Sequence, residues 1–300
     1  MNKRNDFICI GAVHYDYEVK IKGNFLKNRT NPINQEKRLG GVAYNIAKLL
    51  SILKQKTKLY SLDCNLDQKK EIENSGIKFK SLTDKFRNRY YTSILDKNGK
   101  MLLGLANMEE YEKKIKCNTI KEFLNKKIII DLNFSKELIE NVINKNYKKN
   151  YICVCGTSAH KVFKIKNLLK KINTIILNKQ ESLNLTNKKT IKETMEHLIL
   201  QNKKLNIIIT NGKYAIHAYI NNIYYISYPP NIKLKNENGA GDALSAIFNY
   251  FYCLSSNGLD SLNKGISGGA LMVSRYNHNN KSYLTEINKL SRLIKFKTVS

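Results

Sequence analysis

Asn236-Glu237-Asn238-Gly239-Ala240-Gly241-Asp242 runs directly into the apolar stretch ALSAIFNYFYCL, residues 243–254. Two glycines flanking an alanine at a helix start leave backbone amides without intrahelical partners, and the helix dipole adds partial positive charge there. Such a terminus suits an anion. Asp242, in the first turn, would stand beside an anion hole made by Gly239, Ala240 and Gly241, as a carboxylate able to take a proton from a hydroxyl. The plainer reading of the same residues is a tight turn in which Asp242 supplies only helix-start charge.

Outward from this junction, strand-like and helix-like segments alternate. Runs rich in Ile, Val and Tyr at 7–13, 58–62, 90–95, 101–106, 128–132, 151–155, 174–177, 206–210, 214–220 and 223–228 read as strands. Helical periodicity predicts helices over 42–54, 161–172, 190–202, 241–254 and 283–294. The order predicts an α/β fold, a Rossmann-like, mostly parallel central sheet with helices on both faces. Residues 17–38 and 84–107 interrupt the alternation. Lys97-Asn98-Gly99-Lys100 between YYTSILD and MLLGLA is a hairpin signal, so the two insertions are expected to form a small β-sheet lid on a single domain spanning 1–300. Lys85, Arg87 and Arg89 read as a solvated basic edge of that lid.

A second glycine-opened helix starts at Leu39-Gly40-Gly41-Val42-Ala43-Tyr44-Asn45. The Asn45 amide, one turn in, can donate and accept at once, as a pair of vicinal hydroxyls requires. An ordinary loop-to-helix junction would look the same.

The chain carries 52 Lys and Arg against 24 Asp and Glu, a formal charge of +28, yet 42% of it is hydrophobic, which excludes a disordered tail. Only 7 of the basic residues are Arg, the side chain that reads phosphates and bases bidentately, so specific nucleic-acid binding is not expected. Cys9, Cys64, Cys117, Cys153, Cys155 and Cys253 contain no C-x-x-C pair and read as buried thiols in a reducing cytoplasm, with no metal ligands assigned. The N-terminus reads as a first strand rather than a signal peptide, and the uncharged stretch 243–259 falls short of the ~20 apolar residues of a membrane span.

GGxxxN at residues 40–45 and GAGD at 239–242, in that order, resemble the paired signatures of the ribokinase-like (PfkB) carbohydrate and nucleoside kinase family. Gly11 and Asp16, Asp131-Leu132-Asn133, Asn178-Lys179-Gln180-Glu181 and Thr210-Asn211-Gly212 fall in family order between them, so the resemblance covers nearly the whole chain. It implies a ribokinase-like sheet with a β lid, ATP as co-substrate and Mg²⁺. It implies Asp242 as catalytic base and Gly239, Ala240 and Gly241 as the anion hole for the γ-phosphoryl group. By the same resemblance Asp16, Gly40, Gly41 and Asn45 hold the sugar, Asn178 and Glu181 act with magnesium and phosphate, and Thr210 and Gly212 belong to the nucleotide site.

Gly11-Ala12-Val13-His14-Tyr15-Asp16, the lid run around Asn107, Thr157-Ser158-Ala159-His160-Lys161 and Asn236 are similar to the pseudouridine kinases of the family. The expected reaction is therefore phosphorylation of the pseudouridine 5′-hydroxyl, with ribokinase or another nucleoside kinase as alternatives. Asn107 becomes a candidate to face the uracil, or else part of a solvated strand. Asn236-Glu237 replaces the family's Asp-Thr beside a monovalent-cation site, which leaves that cation open. A homodimer through the lid is a further expectation. A different class, a nucleic-acid-binding protein on a degenerate kinase scaffold, is motivated by the charge and disfavoured by the intact Asn45, Gly239, Gly241 and Asp242.

Overall fold

The computed structural model describes residues 5–115, 120–233, 235, 238–274 and 282–299. Asn236, Glu237 and Cys117 lie outside the described residues. Short strands build the central sheet, the inner ones Ile-rich and buried on both faces and the edge pair half exposed: β1 (Asp6–Ile10), β4 (Lys56–Ser61), β5 (Lys78–Ser81), β8 (Lys127–Asp131), β9 (Tyr151–Cys155), β10 (Thr174–Asn178) and β11 (Asn206–Thr210) are parallel neighbours. β12 (Ile216–Ile220), β13 (Ile223–Tyr228) and β14 (Lys295–Val299) extend it antiparallel, giving ten strands in the order β14-β13-β12-β11-β10-β9-β8-β1-β4-β5. A separate four-stranded sheet, in the order β3-β2-β6-β7, contains β2 (His14–Ile21), β3 (Ile33–Gly40), β6 (Tyr90–Leu95) and β7 (Met101–Asn107).

Side chains alternate across a strand, so each central strand feeds two cores. Cys9, Ile129, Cys153, Cys155, Ile176 and Ile208 pack with α1 (Val42–Ile52), α6 (Ala240–Ser255), α7 (Gly258–Val273) and α8 (Tyr283–Ser291). Their neighbours Ile8, Ile128, Ile130, Val154, Ile175 and Ile207 face α3 (Lys136–Asn146), α4 (Lys179–Thr186) and α5 (Ile191–Gln201). A nine-residue helix, α2 (Leu66–Asn74), adds Ile72 to the first core. Among the described residues no helix is long and apolar enough to cross a membrane.

Several segments differ from their sequence reading for identifiable reasons. The helix expected over 161–172 is two 3₁₀ turns, Val162–Ile165 and Leu169–Lys171. Its buried Val162, Ile165 and Leu168 recur every third residue, the repeat of a 3₁₀ helix rather than of an α-helix. α7 was hidden by Gly265, Gly268 and Gly269, which lower helix propensity. Those glycines bring α7 against α6: a Cβ at Gly268 would come within 2.6 Å of Ile247 Cγ1, and one at Gly265 within 3.1 Å of the Leu244 carbonyl oxygen. β14 is exposed and lysine-rich, joined to β13 by backbone pairing, so its sequence lacks an apolar signal. Lys85 and Arg87 are solvated, whereas Arg89 is 1% exposed and donates to the backbone oxygens of Arg87 and Asp63, beside the Tyr111 ring.

The parallel strands end together, and one buried group joins those ends. The Asp131 carboxylate, at the end of β8, accepts backbone N–H groups from Ala12 (2.7 Å), Ala43 (3.1 Å) and Asn133 (2.9 Å). Burial pushes its pKa upward against those three bonds. Replacing it by Ala would strand three buried donors. Asp131→Ala is expected to cost about 3–5 kcal/mol in reversible denaturant unfolding, and a loss below about 1 kcal/mol would show that these contacts carry little.

Candidate active site

The carboxyl ends of β8, β9, β10 and β11 and the starts of α1 and α6 surround a cavity of about 590 Å³, closed on another side by the small sheet. Such a crevice is where open α/β sheets bind ligands. Asp16, Gly41, Asn45, Asn178, Glu181, Thr210, Gly239, Ala240, Gly241 and Asp242 all line it, although they are scattered over most of the chain.

On its wall α6 begins with Gly239 in the left-handed region (φ 79°) and no side-chain cap, so the first-turn amides of Ala240, Gly241 and Asp242 make a donor-rich helix start. A Cβ at Gly241 would meet only open space. Asn45, one turn into α1, donates from Nδ2 to Asp242 Oδ2 at 2.7 Å. Burial pushes the Asp242 carboxyl up to about 7; Asp131, Asp16 and Glu181 add repulsion, and the Asn45 hydrogen bond acts the other way.

Asp16, on β2, lies 3.1 Å from His14 Nε2 and 3.9 Å from Arg38 Nε. Its carboxylate packs against Gly40, where a Cβ would collide with Oδ2, so Gly40 shapes the wall without lining the cavity. Gly41 caps α1 at φ 110°, a value that L side chains rarely adopt. Asn178 and Glu181 form the capping box of α4: Asn178 Oδ1 accepts from the Glu181 amide at 2.9 Å, and Glu181 Oε2 accepts from the Asn178 amide at 2.8 Å. Burial raises the Glu181 pKa. Thr210 borders the cavity at the end of β11, while Gly212 lies outside its lining in a left-handed turn (φ 57°). Asn107 is exposed at the end of β7; Ala106 and Met108 reach the cavity and Asn107 does not.

The sequence roles left out other lining residues, among them His14, Arg38, Asn133, Thr157, Ser158 and Lys161. Asn133 and Lys161 meet across the wall, Lys161 Nζ donating to Asn133 Oδ1 at 2.9 Å. Arg38 sits in a strand whose outer residues are all exposed, and only the β2–β3 register, which opposes it to Asp16, reveals it.

A model of the pfkB family of carbohydrate kinases matches residues 4–285. The chain belongs to that family. Its members are phosphotransferases with an alcohol acceptor, for which ATP and Mg²⁺ are typical. This pfkB kinase is 29% identical to a pseudouridine-metabolizing bifunctional protein of Schizosaccharomyces pombe over 183 residues, which are 56% of this chain and only 24% of that relative's length. In fold it resembles a carbohydrate kinase from Agrobacterium tumefaciens, with a TM-score of 0.80 at 19% identity over 98% of this chain and all of the other. It also resembles a ribokinase from Cryptococcus neoformans in complex with ADP, with a TM-score of 0.70 at 14% identity over 97% and 99% of the two chains.

A carboxyl raised to about 7 makes two measurable demands. The plot of kcat/KM against pH is expected to fall below about pH 7 as Asp242 takes up a proton, and Asn45→Ala, which removes the bond favouring the charged form, should move that midpoint higher. A midpoint unmoved by Asn45→Ala would contradict the coupling. Asp242 holds its proton more tightly folded than unfolded, so its stabilising contribution is present below about pH 4 and lost as pH rises through about 7. Asp242→Asn should therefore melt above the wild type at pH 8, with the gap closing toward pH 4.

Proposed function

We propose that this pfkB kinase transfers the γ-phosphoryl group of ATP to the 5′-hydroxyl of pseudouridine, giving pseudouridine 5′-phosphate and ADP. The observation that carries the reading is the Asn45–Asp242 contact at the amide-rich start of α6, inside a cavity of about 590 Å³. That volume suits a nucleoside together with a phosphate chain. The choice of pseudouridine draws on the relative named as pseudouridine-metabolizing.

In this reading the ribose lies against Asp16, Gly41 and Asn45, with its primary hydroxyl toward Asp242. Asp242 takes the hydroxyl proton as the oxygen attacks, and a carboxyl with a pKa of about 7 is poised for that transfer near neutral pH. The amides around Gly239, Ala240 and Gly241 neutralise charge that develops on the phosphoryl oxygens. Thr210 and Asn178 border the ATP side. Among the described residues no group of three or more His, Cys, Asp or Glu could hold a metal ion. Glu181 and Asp242 nevertheless both face the cavity, a donor set that fits Mg²⁺ held mainly by phosphates and water. When bound, that ion neutralises phosphate charge; Glu181, already engaged by the Asn178 amide, would act on it at one remove.

The same proposal places the kinase in the cytoplasm, in keeping with its free cysteines, and pairs two copies through the small sheet. Met101, Leu102, Leu103 and Leu105 of the edge strand β7 are each about half exposed, which supports a self-association face. Leu103→Lys should lower the mass seen by analytical ultracentrifugation from dimer to monomer, and a wild-type monomer at all concentrations would refute the pairing.

Purified protein with ATP, Mg²⁺ and a panel of pseudouridine, uridine, adenosine and ribose tests the reaction. Pseudouridine should give the highest kcat/KM, and phosphorylation of ribose alone would overturn the substrate. Asp242→Asn should lower kcat about 10²- to 10⁴-fold while the fold is retained. Turnover that survives it would remove Asp242 as the base.

A further inference from the structure

Two hydroxyls at the cavity wall have no hydrogen-bond partner in the protein. Thr157 Oγ1 and Ser158 Oγ are both buried and unpaired, in the loop that leaves β9, and both residues line the cavity. An unsatisfied buried hydroxyl costs about 1–3 kcal/mol, and native proteins keep few of them. Adjacent to them Lys161 lines the same cavity and is largely buried. One of its three N–H donors goes to Asn133 Oδ1 at 2.9 Å, and Glu112 Oε1 stands 3.6 Å away, at ion-pair distance. The loop is anchored at both ends: Gly156 leaves room for the Glu181 carboxylate, with which a Cβ would collide, and Lys164, 5% exposed, is held by Glu112 and by the backbone oxygens of Leu132 and Phe134.

We propose that Thr157, Ser158 and Lys161 form the subsite that reads the acceptor's ring, taking a planar heterocycle whose edge alternates carbonyl oxygens with N–H groups. Rested on the nucleoside reading above, this assigns base recognition to the loop after β9 rather than to the small sheet, where Asn107 stays exposed outside the cavity lining. The chemistry favours such an edge over a phosphate. A phosphate, mostly ionised at neutral pH, offers chiefly acceptors and calls for donors, whereas hydroxyls donate and accept and so match both halves of an imide. The Lys161 ammonium, balanced in part by Glu112, supplies the donor for a carbonyl. The uncapped start of α6 at Gly239–Gly241 already offers backbone donors suited to an anion.

The test compares wild type with Thr157→Val, Ser158→Ala and Lys161→Met, measuring KM and kcat for pseudouridine, KM for ATP, and melting temperature with and without 5 to 10 KM of pseudouridine. The two hydroxyl deletions should each raise the pseudouridine KM about tenfold with a much smaller change in kcat, and Lys161→Met about tenfold or more. Because they remove unpaired buried hydroxyls, Thr157→Val and Ser158→Ala should melt at or above the wild-type temperature without ligand and lose most of the pseudouridine-induced rise. A purely structural role would instead lower the ligand-free melting temperature. An unaltered pseudouridine KM, or an increase confined to ATP, overturns the subsite while leaving the pseudouridine reaction standing. Wild type that phosphorylates ribose and no nucleoside overturns the reaction itself, and the subsite with it.

Discussion

The active cavity depends on one buried carboxylate that takes no part in the proposed chemistry. Asp131 gathers the amides of Ala12, Ala43 and Asn133, and so fixes the end of β8 to the loop after β1 and to the first turn of α1. α1 begins at a glycine without a side-chain cap, so Asp131 serves as its cap from another part of the chain. The direction in which α1 leaves that point determines where Asn45 arrives, and Asn45 is the group that meets Asp242.

The charge within this cavity runs against the charge of the chain. A molecule with a formal charge of +28 concentrates Asp16, Glu181 and Asp242 around one space, with Asp131 behind it. Most of these carboxylates are compensated locally: Asp131 by three amides, Asp16 by His14 and Arg38, and Glu181 by the Asn178 amide. Asp242 has the Asn45 amide against burial and three neighbouring negative groups, and its proton affinity rises accordingly. The lysine excess can draw anionic nucleotides toward the cavity at low salt, but the groups that define it are glycines, amides and carboxylates.

The sequence was most readable where local chemistry and tertiary environment agree. β6, β9, β11 and β13 have the bounds read from their runs of Ile, Val and Tyr because a pleated, half-buried or buried surface selects those residues directly. Reading failed where a residue's purpose lies in its neighbour. The glycines of α7 look like helix breakers until α6 is placed against them, and β14 is a strand only through its partner. In the cavity, glycine-opened helices announced Asn45 and Asp242, whereas Gly40 and Gly156 matter for the carboxylates that pack on them, which no spacing reveals. Thr157 and Ser158 stand out in the sequence only as part of a stretch similar to pseudouridine kinases, with nothing local to give either one a role; their unpaired hydroxyls become visible only once the loop is folded.

If Asp242 at the start of α6 activates the acceptor hydroxyl, the two must meet in the ternary complex. A crystal structure of the kinase with pseudouridine and a non-hydrolysable ATP analogue tests it most directly. The 5′-oxygen is expected at about 2.6–3.2 Å from an Asp242 carboxylate oxygen, in line with a γ-phosphoryl group held over Gly239–Gly241. A nucleoside bound in the cavity with its 5′-oxygen turned away from Asp242 and toward another side chain would contradict it.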